Sequence, residues 1–236
     1  MIRSENMNIL ITGANRGLGL ALVDHALNQG DTVIATERST SDNLQKRQAE
    51  YPDNLHILQF DVTDEQAIAS EKVRLVQTLN KVDVLINNAA ILNGRDQSIE
   101  ELSFEDSLKA FDINALGPAR MIKQFLPLLR KGKEKLIINL STDAASLTNA
   151  YPGDYPYGLS KVALNMLTEK LVRELKEDEI QTFAVHPGWM HTEMGGNQAP
   201  TNPKDTANNI YNMIKNRPKS TTGFQFFNHE GEMMDI

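Results

Sequence analysis

The chain has 236 residues, enough for one sizeable hydrophobic core, and its 24 lysines and arginines against 31 aspartates and glutamates leave a net charge of −7. This acidic balance argues against nucleic acid or an anionic membrane as the main partner, because both are themselves negatively charged. The absence of cysteine excludes disulfides, thiolate catalysis and cysteine-based zinc sites.

The sequence also predicts where the protein acts. Its first six residues are polar and hold too few apolar side chains for a signal peptide. No apolar run approaches the roughly 18 residues of a membrane span. The five histidines show no spacing typical of metal ligands. We therefore predict a cytoplasmic protein without a metal site.

Apolar runs and helix-type patterns alternate along the whole chain, which predicts an α/β fold. The strands are expected at 7–12, 32–36, 55–60, 82–86, 135–140, 181–186 and 223–227. The helices are expected at 17–29 with a glycine cap at Gly30, 41–50, 65–79, 104–130 with breaks at Gly117-Pro118 and Pro127, 156–177 and 204–216.

The arrangement of these strands follows from their composition. They are continuous apolar runs rather than alternating ones, which is typical of strands buried on both faces of a parallel sheet. Right-handed crossovers and a switch point after the first strand predict a single Rossmann-type, doubly wound domain of about seven strands over residues 1–236.

The turn after the first strand is the most informative short stretch, reading T-G-x-x-x-G-x-G from Thr12 to Gly19. A strand, a glycine turn and a helix together form the place where α/β proteins hold a phosphate against a helix N-terminus. The motif alone is also compatible with a simple tight connection. The residues expected to approach a pyrophosphate are Gly13, Asn15, Arg16, Gly17, Leu18 and Gly19.

Four further motifs follow in order: Asn87-Asn88-Ala89-Ala90, Asn114 within F-D-I-N-A, Tyr157-Gly158-Leu159-Ser160-Lys161, and 186–192 with the letters H-P-G-W-M-H-T. Together with the glycine turn, their order and spacing resemble the short-chain dehydrogenase/reductase family from end to end. The short loop before the last helix and the ending 223–227 resemble its small carbonyl-reductase-like branch, which includes sniffer-like and C-factor-like members. Ala90 departs from the glycine usual in that family.

The resemblance implies an NAD(P)-dependent oxidoreductase that acts on a small carbonyl or alcohol substrate. Tyr157 and Lys161 are four residues apart and share one helix face. A nearby ammonium favours the phenolate, so Tyr157 suits general acid/base catalysis, with Lys161 also holding the nicotinamide ribose. Asn114 matches the helix asparagine that supports a water leading to Lys161. The family's serine falls at Thr142, with Ser141 as the alternative.

The resemblance also assigns the cofactor contacts. Glu37 would accept from a free 2′-hydroxyl and repel a 2′-phosphate, whereas Arg16 and Arg38 would pair with the phosphate. Two guanidiniums against one carboxylate favour NADP, with NAD as the alternative. The remaining contacts are Asp61 and Val62 beside the adenine, Asn88 and Ala89 beneath the cofactor, Pro187 and Gly188 in the loop over the nicotinamide, and Thr192 against the carboxamide or phosphates.

Two other functions are compatible with these motifs. A dinucleotide-binding sensor without significant catalysis is mildly favoured by the threonine at position 142 and by the short loop 189–203. An extended-type epimerase is disfavoured by the glycine spacing and the chain length. By family analogy, the helices that hold Asn114 and Tyr157 are expected to form a homodimer interface.

Overall fold

A computed structural model describes residues 6–236, so most of the N-terminal segment in which no signal peptide is predicted lies outside the described residues. The strands are β1 Asn8–Ile11, β2 Thr32–Glu37, β3 Leu55–Gln59, β4 Val84–Asn87, β5 Leu136–Leu140, β6 Gln181–His186 and β7 Phe226–Asn228. The helices are α1 Gly17–Asn28, α2 Asp42–Glu50, α3 Glu65–Leu75, α4 Phe104–Phe111, α5 Gly117–Leu129, α6 Tyr155–Glu174 and α7 Pro203–Asn216. Two short 3-10 turns span Ile99–Glu101 and Asp143–Ala145, and a π-helical turn, Asp112–Leu116, joins α4 to α5.

The seven strands form one sheet in the order β3-β2-β1-β4-β5-β6-β7. Every neighbouring pair is parallel, from β2 against β3 to β6 against β7. The chain winds outward from β1 to β3 and then returns to β4 on the other side of β1. This confirms the doubly wound sheet, whose switch point opens between the carboxyl ends of β1 and β4.

The two faces of the sheet are covered by separate hydrophobic clusters, as the apolar strands predict. In β1, Ile9 and Ile11 belong to the cluster that includes Leu22 of α1. Leu10, between them, points to the opposite cluster with Phe125 of α5. Because successive side chains of a strand alternate between faces, such strands are apolar throughout. No helix in residues 6–236 is both long enough and apolar enough to cross a bilayer.

Several predicted boundaries were wrong, and the region 104–130 shows why. Its break is the π-helical turn before Gly117, and Pro127 lies inside α5 without ending it. Proline removes one helical hydrogen bond, here to the carbonyl of Lys123. Both Pro127 and Lys123 are exposed, so water can satisfy that carbonyl. At the far end, β7 begins at Phe226 rather than at Gly223, whose φ of +91° interrupts an extended strand.

Candidate active site

The turn between β1 and α1 is shaped for an anion. Gly13 and Gly17 have φ values of +62° and +55°, a left-handed conformation that favours glycine. A Cβ at Gly19 would lie 2.2 Å from the Gly13 carbonyl oxygen, so no side chain fits there. Arg16 occupies the N-cap of α1 without a side-chain cap, which leaves N–H groups of the first turn open. The open N–H groups of α1, together with a turn in which glycines leave space free of side chains, fit a pyrophosphate.

Thr12 and Asn88 tie this turn to the carboxyl end of β4. The Thr12 hydroxyl oxygen accepts from the backbone N–H groups of Asn88, at 2.9 Å, and of Ala89, at 3.0 Å. The Asn88 side-chain amide donates to the carbonyls of Thr12, at 2.8 Å, and of Gly13, at 3.0 Å. Sequence reasoning assigned no role to Thr12, whose only signal is its place at the start of the glycine motif.

The loop after β6 closes onto the same turn. Gly188 has a φ of +85°, and the Pro187 carbonyl accepts from the Thr206 hydroxyl of α7 at 3.2 Å. A Cβ at Gly17 would lie 3.5 Å from the Thr192 methyl carbon. Next along the loop, Glu193 forms an ion pair with Arg16. The structure thus brings together two segments that lie far apart in sequence and that are both predicted to contact the cofactor.

Charged residues follow the carboxyl ends of β2 and β3. Glu37 is only 3% exposed, and its carboxylate accepts from the Ser41 hydroxyl at 2.5 Å. The Arg38 side chain, in contrast, is 77% exposed and lies 4.0 Å from the Asp61 carboxylate. That carboxylate also accepts from the Thr63 N–H at 2.9 Å. The positive charge therefore faces solvent, whereas the Glu37 carboxylate is turned into the protein.

Val62 lies in the second hydrophobic cluster rather than at the surface. A Cβ at Gly117, the first residue of α5, would lie 3.0 Å from a Val62 methyl carbon. The side chain therefore packs between the end of β3 and the start of α5, where it forms an apolar wall at the carboxyl edge of the sheet.

Tyr157 and Lys161 lie on α6, with the Lys161 ammonium nitrogen 5.7 Å from the centre of the Tyr157 ring. Lys161 is buried and donates to the Leu140 carbonyl at 2.6 Å. Burial lowers the pKa of Lys161 to about 7. Burial also raises the pKa of Tyr157 to about 12, although the hydrogen bond with Thr142 acts in the opposite direction.

The expected lowering of the Tyr157 pKa is therefore absent in the protein chain alone. Desolvation disfavours both the phenolate of Tyr157 and the ammonium of Lys161. Burial therefore favours the neutral form of each side chain. A phenolate here needs positive charge beyond that of Lys161.

The structure separates the two candidates for the serine position. Ser141 points into the core, where its hydroxyl donates to the Asn165 side-chain oxygen at 2.6 Å. Thr142 instead lies close enough to the Tyr157 phenol for its hydroxyl to lower the pKa of that group. The Thr142 hydroxyl also donates to the carboxylate of Asp143 at 2.9 Å. Thr142 is therefore the hydroxyl that lies at the site.

Asn114 lies fully buried in the π-helical turn. Its side chain accepts from the Ile91 N–H and donates to the Ile91 carbonyl, both at 2.9 Å. It also donates to the Ser160 hydroxyl at 3.0 Å, and Ser160 donates to the Tyr157 carbonyl at 2.7 Å. These contacts connect Asn114 to the turn of α6 that carries Tyr157. Ser160 was missed, although it lies inside the Tyr157–Lys161 motif.

Two further residues at this edge were also missed. His186 ends β6, and its Nδ1 accepts from the Asp143 N–H at 3.2 Å. Burial lowers the pKa of His186, which favours the neutral ring needed for that acceptor role. The signal for Asp143 was its position directly after Thr142.

Comparisons with known proteins agree with this geometry. A family model described as short chain dehydrogenase matches residues 7–203. Over 151 residues the chain is 34% identical to the C-signal protein of Myxococcus xanthus, covering 64% of this chain and 90% of that protein.

Two solved carbonyl reductases have similar structures. An NADPH-bound carbonyl reductase from chicken fatty liver has a TM-score of 0.89 and 30% identity, covering 99% of this chain and 100% of that chain. The carbonyl reductase Sniffer of D. melanogaster has a TM-score of 0.89 and 29% identity, covering 98% and 100%.

Proposed function

The chain belongs to the short-chain dehydrogenase family, and from this premise we propose that it transfers a hydride between a nicotinamide cofactor and a carbonyl or alcohol substrate, with Tyr157 as the general acid/base. The family consists of NAD(P)-dependent oxidoreductases, and this chain is one of its carbonyl-reductase-like members. The observation that carries the proposal is the meeting of Tyr157, Lys161 and Thr142 at the sheet edge that also holds the anion-shaped turn.

The residues divide the chemistry between them. A bound nicotinamide supplies or accepts the hydride. Tyr157 donates a proton to the carbonyl oxygen, or accepts one from the alcohol, and Thr142 orients that oxygen by hydrogen bonding. Lys161 lies close enough to favour the phenolate when it is protonated. Asn114 holds the Tyr157 turn in place through Ser160.

Replacing Tyr157 tests this mechanism. We predict that Tyr157→Phe lowers kcat by roughly 10²- to 10⁴-fold, the usual contribution of a general acid or base, while cofactor affinity stays near that of the wild type. The measurement is NADPH consumption over a panel of aldehydes and ketones, with a parallel titration of cofactor fluorescence. Tyr151→Phe is the matched control, since its hydroxyl bonds to Asp154 instead. Full turnover by Tyr157→Phe would overturn the mechanism.

We propose NADP as the preferred cofactor. The guanidiniums of Arg16 and Arg38 are exposed at the surface, where a 2′-phosphate could replace their present carboxylate partners, Glu193 and Asp61. The competing carboxylate of Glu37 is instead buried against Ser41. Guanidinium suits phosphate because it offers paired donors in a planar fork. The similar chicken enzyme is itself described as NADPH-bound.

The cofactor preference is tested by the ratio of kcat/KM for NADPH and NADH. We predict a wild-type ratio above one, and a fall of roughly 10- to 150-fold in Arg38→Ala, as expected for a lost charge-assisted hydrogen bond of about 1.5–3 kcal/mol. Lys131→Ala, a cation removed at the far end of α5, is the control and should leave the ratio unchanged. A wild-type preference for NADH contradicts the proposal.

The sensor without turnover remains a second candidate because the Thr142 hydroxyl already donates to Asp143 and has no second hydrogen to offer a substrate. The same substrate panel separates the two functions. Tight NADPH binding without consumption across the panel favours the sensor, whereas consumption with any carbonyl compound favours the reductase.

We also propose that the protein forms a homodimer through α4 and α6. Phe104 and Leu108 of α4 and Leu159 of α6 are exposed apolar side chains, and the two helices pack against each other. Neighbouring exposed apolar residues of this size are typical of protein interfaces.

A further inference from the structure

The Thr142 hydroxyl has one hydrogen but two neighbours that can take it. It donates to Asp143 Oδ1 at 2.9 Å. The Tyr157 phenol is the second neighbour, since donation from Thr142 lowers the pKa of that group. A hydroxyl group donates once and accepts up to twice. A hydrogen bond donated by Thr142 to the phenol oxygen lowers the pKa of Tyr157. While the Asp143 carboxylate holds that hydrogen, this support for the phenolate is lost.

Asp143 is held in place for this contact from two sides. Its carboxylate oxygen that receives the Thr142 hydrogen also accepts from the Ala144 N–H at 3.0 Å. Its backbone N–H donates to His186 Nδ1 at 3.2 Å, which ties the short 3-10 turn to the end of β6. The carboxylate is 64% exposed, so substrate and solvent can reach it, whereas Thr142 is buried.

We propose that Asp143 is a positioning residue that sets the direction of the Thr142 hydroxyl and so controls when Tyr157 becomes a base. The inference rests on the proposed oxidoreductase function and adds to it a residue that acts through Thr142. With the carboxylate in place, the hydroxyl points away from Tyr157. Without it, the hydrogen turns to the phenol oxygen or to a bound substrate oxygen.

The charge of Asp143 acts in the same direction as its hydrogen bond. Asp143 and Asp154 both raise the pKa of Tyr157, with Asp143 the larger of the two, whereas Arg95 lowers it. Lys161 lies beside the ring, and His186 contacts the Asp143 backbone from the end of β6. The titratable and charged groups that surround Tyr157 are Arg95, Asp143, Tyr151, Asp154 and Lys161.

The test is the pH profile of alcohol oxidation, which rises as Tyr157 loses its proton. For Asp143→Ala we expect the rising limb to move to lower pH by about one unit, since both a charge and a competing acceptor are lost. In the carbonyl-reduction direction, the fall at high pH should move down by the same amount. Asp143→Asn removes the charge but keeps an acceptor for Thr142, so its shift should be smaller than that of Asp143→Ala.

Asp154→Asn is the matched control for charge alone. Asp154 lies at the N-terminus of α6 with a φ of +49°, a conformation that asparagine tolerates, and it bonds to Tyr151 instead of Thr142. Its profile should shift less than that of Asp143→Ala. A profile of Asp143→Ala that superimposes on the wild type, or that shifts no more than Asp154→Asn, overturns the inference.

A double-mutant cycle shows whether Asp143 acts through Thr142. In a Thr142→Val background, the shift caused by Asp143→Ala should shrink to that of charge removal alone, and an undiminished shift contradicts the inference. NADPH fluorescence titration of every variant verifies that the cofactor site is folded. If the wild type binds NADPH but turns nothing over, the proposed function itself fails, a result distinct from failure of the Asp143 inference.

Discussion

Lys161 has a buried amine whose only hydrogen-bond acceptor identified among residues 6–236 is the Leu140 carbonyl. Its pKa falls from 10.5 to about 7 because burial penalises the ammonium. Between these two values the unfolded chain binds one proton more than the folded chain. The free energy of unfolding should therefore rise with pH over this window, by up to about 1.4 kcal/mol per unit from this residue.

Lys161→Met tests this prediction because methionine has a similar length and no charge. Urea unfolding of the cofactor-free protein, measured between about pH 7 and pH 9, should give a flatter dependence in the variant than in the wild type. Tyr157 does not interfere in this range, since its pKa is raised to about 12. Lys131→Met, at an exposed site, is the control. Parallel slopes in wild type and Lys161→Met would contradict a lowered pKa.

The sequence pattern indicates candidate site residues, but not the environment of each one. The spacing of Tyr157 and Lys161 indicates a shared face, but not that burial exceeds the effect of the nearby amine on the Tyr157 pKa. The alignment on β5 favoured Thr142 only slightly over Ser141. Their separation required knowing that successive side chains at the end of β5 point to opposite sides, one toward Asn165 and the other toward Tyr157.

At the scale of elements, the π-helical turn Asp112–Leu116 owes its position to Asn114. The Asn114 side chain forms hydrogen bonds with both the N–H and the carbonyl of Ile91. For the chain that leaves β4, it therefore makes the contacts that a neighbouring strand would make. We predict that Asn114→Ala lowers the free energy of unfolding by about 3 kcal/mol, because two partly buried backbone groups lose their partner. Ser160→Ala breaks only bonds on the α6 side and should cost about 1 kcal/mol.

Both values follow from urea unfolding curves analysed with a common slope. The comparison is informative because Asn114 and Ser160 are buried neighbours joined by one hydrogen bond. Equal losses in the two variants would mean that the contact with α6, rather than the pairing of Ile91, accounts for the role of Asn114.

Element types were predictable, but some of their ends were not. Apolar runs and helical periodicity reflect which side chains of an element are buried against the sheet. This pattern can be recognised within the sequence of the element itself. The break in 104–130 instead depends on a long-range partner, Ile91, and the start of β7 depends on pairing with β6. Neither partner can be identified from the local pattern of residues. For this reason, boundaries were wrongly predicted at Pro127 and at Gly223.

At the scale of the whole molecule, the sheet order followed from the alternation of elements, because parallel strands joined by right-handed crossovers allow few arrangements. The oligomeric state is less directly predictable from the sequence. Among the described residues, Phe104 is 77% and Leu108 is 72% exposed, one helical turn apart on α4. These two side chains contribute little to the core of one chain, and they are free to pack against another molecule.

We therefore predict that Phe104→Glu and Leu108→Glu convert a dimer into monomers, because each places an unpaired charge in the centre of an apolar contact. Mass measurement by light scattering after gel filtration reports the change, and activity per chain reports whether the site depends on it. Val73→Glu is the matched control, since Val73 is equally apolar, 59% exposed and lies on α3 away from these two side chains.

A wild type that is monomeric at all concentrations overturns the prediction. Dissociation by Met166→Glu, but not by Phe104→Glu, would instead place the interface on the face of α6 next to Phe224, where a cavity of about 90 Å³ is lined mostly by apolar side chains.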